Sequence, residues 1–167
     1  MEKNKRILIV DDQQDLREQL AKLLKRAGKK SETTSFVQQM RQRLSGAGAG
    51  RDGQPSEEKD ASAEDAYAVK VAAQGEEAFN MVRKALEDNK PYAVLFTDMR
   101  MPPGWDGLET AKRIREIDKN IEIVIMTAYA DHDQATIADT VGCPEKLLYI
   151  KKPFQAEEIY QLALCLT

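Results

Sequence analysis

Cysteine is scarce in this chain: 167 residues carry two, Cys143 and Cys165. Two distant thiols are too few for a disulfide framework or a zinc knuckle. Histidine is scarcer still. The single His132 lies eleven residues from Cys143 with no second pair nearby, so these residue types supply no metal site. Aromatic residues make up 6%, with Trp105 the lone tryptophan. No apolar run approaches the roughly 18 residues of a membrane helix. The amino terminus, MEKNKRILIVDD, lacks the layout of a signal peptide, so no membrane association and a cytoplasmic location are expected. Charge of one sign is also lacking, with 25 basic against 28 acidic residues and a net charge of −3. That balance excludes a protein devoted to coating nucleic acid or anionic membrane. A nucleotide-binding P-loop is missing too. The glycine-rich GAGAGRDG stretch lacks the terminal Lys-Ser/Thr and follows no strand.

What the chain does contain is 42% hydrophobic residues, arranged as short apolar runs alternating with helical periodicity. Arg6 to Val10 reads as a strand, and Leu16, Leu20, Leu23 and Leu24 then recur at helical spacing until Gly28. Tyr67–Ala73, Tyr92–Thr97, Glu122–Thr127 and Lys146–Lys151 read as further strands. Helices are expected over Gly75–Asn89, around Leu108–Ile117, over Asp133–Val141 and over Ala156–Leu166. Strands that are apolar throughout belong in a sheet covered on both faces, and β/α alternation implies parallel strands with right-handed crossovers. The expected fold is a single, doubly wound, five-stranded α/β domain over 1–167.

One segment breaks the alternation. Residues 29–66 number 38 where a β/α unit needs only a few linking residues. Phe36, Val37, Met40 and Leu44 share one helical face, so 29–44 adds a short helix in this reading. Residues 45–66 contain no aromatic residue and no aliphatic larger than alanine. Such a stretch buries too little surface to offset its ordering entropy, and a flexible surface loop is expected.

In an open parallel sheet, ligands gather at the carboxyl ends of the strands. There the first strand meets Asp11 and Asp12, the third Asp98, the fourth Thr127, and the fifth Lys152-Pro153. Taken singly these residues have ordinary uses: the paired aspartates can cap a helix, Asp98 can open a turn, and Lys152 can be solvated. Taken together, three carboxylates repel one another and suit a hard divalent cation such as Mg²⁺ or Mn²⁺. A cation beside a carboxylate and a lysine makes a phosphoryl site, and a carboxylate can itself be the nucleophile toward phosphorus. The site looks built to accept a phosphoryl group.

ILIVDD, LFTDMRMPPGWDG, VIMTAYAD and YIKKPF, in this order and spacing, resemble the receiver domain of two-component response regulators. The resemblance runs from Arg6 to Leu166, apart from the 29–66 insertion, and implies a flavodoxin-like sheet of order 2-1-3-4-5 with helices on both faces. It implies that Asp98 is the phosphoacceptor, served by a histidine kinase or phosphotransfer protein. It also implies that Asp12, Asp98 and the Arg100 backbone carbonyl ligate the cation, with Asp11 acting largely through bound water. By the same resemblance Lys152 pairs with the phosphoryl oxygens and precedes a cis proline. Thr127 and Tyr149 then form the switch, and Arg100 and Tyr129 tune phosphoryl lifetime. A homodimer through the fourth helix, fifth strand and fifth helix is a further implication. Pro103-Gly104-Trp105 makes the loop after Asp98 one residue longer than the common receiver form. With the insertion, that loop resembles a subgroup often fused to kinase or cyclic-dinucleotide signalling domains. No output domain follows Thr167, so a stand-alone regulator or a fragment of a longer protein is expected. Trp105 is a candidate either for partner binding or for loop packing.

Two other functions compete with this one. An aspartate-nucleophile phosphatase needs a second acid two residues after its nucleophile, where Asp11 is followed by Gln13. A phosphorylation-independent interaction module would not need Asp11, Asp12, Asp98, Thr127 and Lys152 intact.

Overall fold

Five apolar segments form one parallel sheet in a computed structural model that describes residues 4–27, 66–128 and 134–167. In chain order the elements are β1 (Arg6–Val10), α1 (Gln14–Ala27), β2 (Ala68–Ala72), α2 (Gly75–Glu87), β3 (Val94–Asp98), α3 (Gly107–Ile117), β4 (Glu122–Thr127), α4 (Gln134–Val141), β5 (Leu147–Lys151) and α5 (Ala156–Leu166). The strand order is β2-β1-β3-β4-β5, as the resemblance implies. The helix expected over 29–44 lies outside the described residues, as does the loop expected over 45–66 up to Asp65.

Side chains alternate across the sheet, and each face has its own core. Leu8, Val10, Leu95, Ile123 and Ile125 pack beneath α2, α3 and α4 with Ala78, Val82, Ala111, Ile114 and Ile137. Ile7, Ile9, Val94, Phe96, Val124 and Met126 pack beneath α1 and α5 with Leu20, Leu24, Ile159 and Ala163. β1 and β3 are central and almost fully buried. They read as continuous apolar runs because both faces need apolar cover. Each fully buried aliphatic side chain there contributes roughly 1.5–3 kcal/mol.

Several boundaries shift inward from the sequence reading, each for a local reason. α2 stops at Glu87 because Asn89 adopts φ 53° while the Asp88 and Lys90 amides bond back to the Lys84 and Ala85 carbonyls. Tyr92 lies before β3 rather than in it, buried, with the Arg6 guanidinium 5.0 Å from its ring centroid. β5 begins at Leu147 because Pro144–Lys146 makes a 3₁₀ turn entered from Cys143 at φ 51°. α3 instead starts one residue earlier than read, at Gly107, because the Asp106 carboxylate accepts from the Glu109 amide at 2.8 Å. The cap can sit there only because Gly107 has no side chain: a Cβ would lie 2.1 Å from the Asp98 carbonyl oxygen.

Candidate functional site

Register brings the chemistry to one edge. Val10 pairs with Ala72 and Thr97, and Asp98 pairs with Met126, so β1, β3 and β4 end side by side. Asp11 follows β1, Asp98 closes β3, Thr127 closes β4, and Lys152 follows β5. The Lys152 amide bonds to the Thr127 carbonyl at 2.8 Å, which extends the β4–β5 ladder to the site. The Lys152-Pro153 peptide is cis, as is Pro102-Pro103.

Asp11 is fully buried, Asp98 is 7% exposed, and Asp12 faces solvent. Their carboxylate oxygens lie within 4.8 Å of one another, making the one such acidic cluster among the described residues. The Lys152 ammonium bridges two of them, 2.8 Å from Asp98 Oδ1 and 3.0 Å from Asp11 Oδ2. Burial raises the Asp98 pKa above the ordinary carboxylate value. Lys152 opposes that rise, and repulsion from Asp11 and Asp12 adds to it. Burial also pulls the Lys152 ammonium toward neutrality, but its bonds and charge contacts with Asp98 and Asp11 outweigh burial and hold its pKa above the usual lysine value.

One ammonium does not balance three carboxylates. The surplus charge, the hard oxygen donors and the open side at Asp12 fit a small divalent cation that keeps part of its water shell. Receiver domains bind Mg²⁺ through an acidic cluster of this kind.

Thr127 sits at the same edge, with its hydroxyl donating to the Ala128 carbonyl at 2.8 Å. Tyr149 is half-buried against the α2–α4 core. Arg100 is exposed two residues beyond Asp98. Tyr129 and His132 lie outside the described residues. Trp105 packs in its loop: its ring meets Phe79 edge-on at a 5.9 Å centroid separation, and the Arg113 guanidinium lies 4.3 Å from its centroid. The Gln74 amide reaches the Pro102 carbonyl at 3.4 Å. These contacts tie the PPGWDG loop to α2 and α3.

Two arginines escaped the sequence reading. Arg17 donates to the Asp11 carbonyl at 2.5 Å. Arg115 is 2% exposed and donates to the Ile121 and Lys146 carbonyls at 2.7 and 2.9 Å. The second was detectable: Arg115 lies four residues after Ala111 and beside Ile114, within the apolar stripe of α3.

The model of the response regulator receiver domain matches residues 59–164. The chain belongs to that family. The match omits β1 and its aspartates, which the fold nevertheless seats at the centre of the sheet. Sporulation initiation phosphotransferase F of Bacillus subtilis is 37% identical over 93 residues, 56% of this chain and 68% of that protein. The DNA-binding transcriptional regulator NtrC of Klebsiella pneumoniae is 38% identical over 86 residues, which cover 52% of this chain and 17% of the regulator. The chain therefore spans less than a fifth of that regulator's length. Among solved structures, a receiver domain protein from Clostridium thermocellum superposes with TM-score 0.60 at 20% identity, covering 96% of this chain and 91% of the other. An adenylate cyclase structure from Rhodopirellula baltica gives TM-score 0.61 at 21% identity over 98% and 87%. At such identities the likeness is one of fold. Receivers of two-component systems accept phosphoryl groups and interact with histidine kinases or phosphotransfer proteins, as signalling modules rather than turnover enzymes.

Proposed function

We propose that Asp98 is the phosphoacceptor of this receiver. The observation that carries the reading is the buried Asp98 carboxylate held 2.8 Å from Lys152 beside two further aspartates. An Asp98 oxygen attacks the phosphorus of a phosphohistidine donor, the P–N bond breaks with its electron pair going to the ring nitrogen, and the imidazole leaves neutral because its other nitrogen already carries a proton. Lys152 neutralises charge on the transferring oxygens, while Asp12, Asp98 and the Arg100 carbonyl would hold Mg²⁺ or Mn²⁺, with Asp11 acting largely through bound water. The cation supplies further neutralisation of phosphoryl charge. Burying surplus negative charge before transfer makes the site depend on that cation.

The Thr127 hydroxyl, which needs only a rotation to leave the Ala128 carbonyl, then turns to the phosphoryl group. Tyr149 moves further inward behind it, a local charge change read out by a two-state element. The surface altered by the switch is that of α4, β5 and α5, through which a second copy or an output partner binds. The PPGWDG loop and residues 29–66 mark a subgroup within the family, in a single cytoplasmic receiver domain that makes no direct nucleic-acid contact. Phosphorylation and its reversal on Asp98 are the only chemistry of the domain.

Incubation with acetyl phosphate and Mg²⁺ tests the reading. Intact mass should rise by one phosphoryl group in the wild type and stay unchanged in Asp98→Asn. An unreactive wild type would instead favour a phosphorylation-independent interaction module. Sustained turnover of a generic phosphate ester would point to a phosphatase.

A further inference from the structure

Asp11 is held at every polar atom. Its amide bonds to the Ala72 carbonyl at 3.3 Å. Its Oδ1 accepts from the Gln13 amide at 2.8 Å, and its Oδ2 accepts from Lys152 at 3.0 Å. Its carbonyl accepts from the Arg17 guanidinium. The last of these contacts differs in kind from the others. The Asp11 carbonyl belongs to the peptide that joins Asp11 to Asp12, so the group bonded to it sets the plane from which the Asp12 side chain departs. The Asp12 carboxylate is exposed and lacks the packing that orients Asp98.

Arg17 is also in an unexpected place for a helix. It sits in the first turn of α1, where the macrodipole disfavours a cation. Helix stability does not account for an arginine there, but a charge-assisted bond to the adjacent loop does.

We propose that Arg17 is a positioning residue for the cation site: it fixes the Asp11–Asp12 peptide and so presents the Asp12 carboxylate to the metal. This rests on the reading of Asp12 as a ligand. Partners that orient metal ligands from behind commonly contribute 10–100-fold to affinity. Removing Arg17 should therefore weaken Mg²⁺ binding by about 10-fold or more.

The test is calorimetric titration of the metal-free protein with Mg²⁺ alone, in the wild type and in Arg17→Ala, Arg17→Lys and Asp12→Asn. Urea unfolding without Mg²⁺ runs alongside. The expected result is weaker binding in Arg17→Ala, partial recovery in Arg17→Lys, and metal-free urea midpoints for both that match the wild type. Equal affinity in the wild type and Arg17→Ala, with binding lost in Asp12→Asn, would overturn the role of Arg17 and leave the metal reading standing. Loss of affinity that tracks a lower metal-free midpoint in both arginine variants would make Arg17 a fold residue and overturn the proposal. A wild type that does not bind Mg²⁺ would overturn the reading of the site and this inference together.

Discussion

The two ends of the sheet treat buried charge in opposite ways. At the amino ends of β4 and β5, the buried Arg115 donates through Nη1 and Nη2 to the carbonyls of Ile121, Lys119 and Lys146, while its Nε is buried without a partner. Beside it, Asp118 Oδ1 accepts the Asn120 and Ile121 amides, and Lys146 bonds to Glu122 and the Asn120 carbonyl. Backbone groups absorb the charge, and the loops entering both strands are fastened. At the carboxyl ends, Asp11, Asp12 and Asp98 face a single bridging ammonium, and negative charge is left over. One end is arranged for stability and the other for a ligand, which is how open parallel sheets separate the two tasks.

The largest effect expected from breaking this contrast is at the stable end. Arg115→Ala leaves the Ile121 and Lys146 carbonyls without their donor. It should lower urea stability by about 3 kcal/mol while labelling of the folded protein by acetyl phosphate persists. If labelling falls while stability holds, the assignment of the two ends is reversed. Gly107→Ala sets a Cβ against the Asp98 carbonyl. It should cost about 2 kcal/mol and slow labelling as well, because the same backbone carries the acceptor. Urea melts and labelling rates on one preparation check both effects.

At the functional end the sign changes. Asp98 has a raised pKa in the fold, so its contribution to stability is present below the ordinary carboxylate value and is lost as pH rises through the folded-state value. At neutral pH without Mg²⁺, Asp98→Asn should therefore be more stable than the wild type, on the order of 1 kcal/mol. The gain should vanish in acid below the ordinary pKa of 3.8. Urea midpoints across pH check this, and a less stable variant at neutral pH would show that the Lys152 contact outweighs the repulsion. The smallest effect belongs to the packing of Trp105 in the PPGWDG loop, which follows Asp98 but lies outside the charged cluster. Arg113→Met removes the guanidinium over Trp105 and should cost about 0.5 kcal/mol, with labelling by acetyl phosphate unchanged.

The functional end was more legible in sequence than the stable end. β1 and β3 announce themselves as apolar runs ended by Asp11-Asp12 and Asp98, because a strand buried on both faces leaves polar residues only where it emerges. Parallel pairing then follows from β/α alternation, whereas the strand order does not, since doubly wound sheets share that alternation in different orders. In AKRIREIDKN the place of Arg115 on the apolar stripe of α3 marks it as buried but does not show what it bonds to, and Asp118 looks like any solvated charge. The carbonyls that Arg115 bonds are brought close only by the fold, as is the Asp11 carbonyl to Arg17, whereas Asp118 accepts the Asn120 and Ile121 amides. Trp105 was open to two readings in sequence for a similar reason, since Phe79 and Arg113 reach it from different helices.

Phosphorylation of Asp98 is the central expectation for the carboxyl end of the sheet. Wild-type protein treated with acetyl phosphate and Mg²⁺, reduced with borohydride to trap the acyl phosphate, and mapped by peptide mass spectrometry should carry the modification at Asp98 alone. Modification at Asp11 or Asp12, or none under conditions where Mg²⁺ binds, would contradict it.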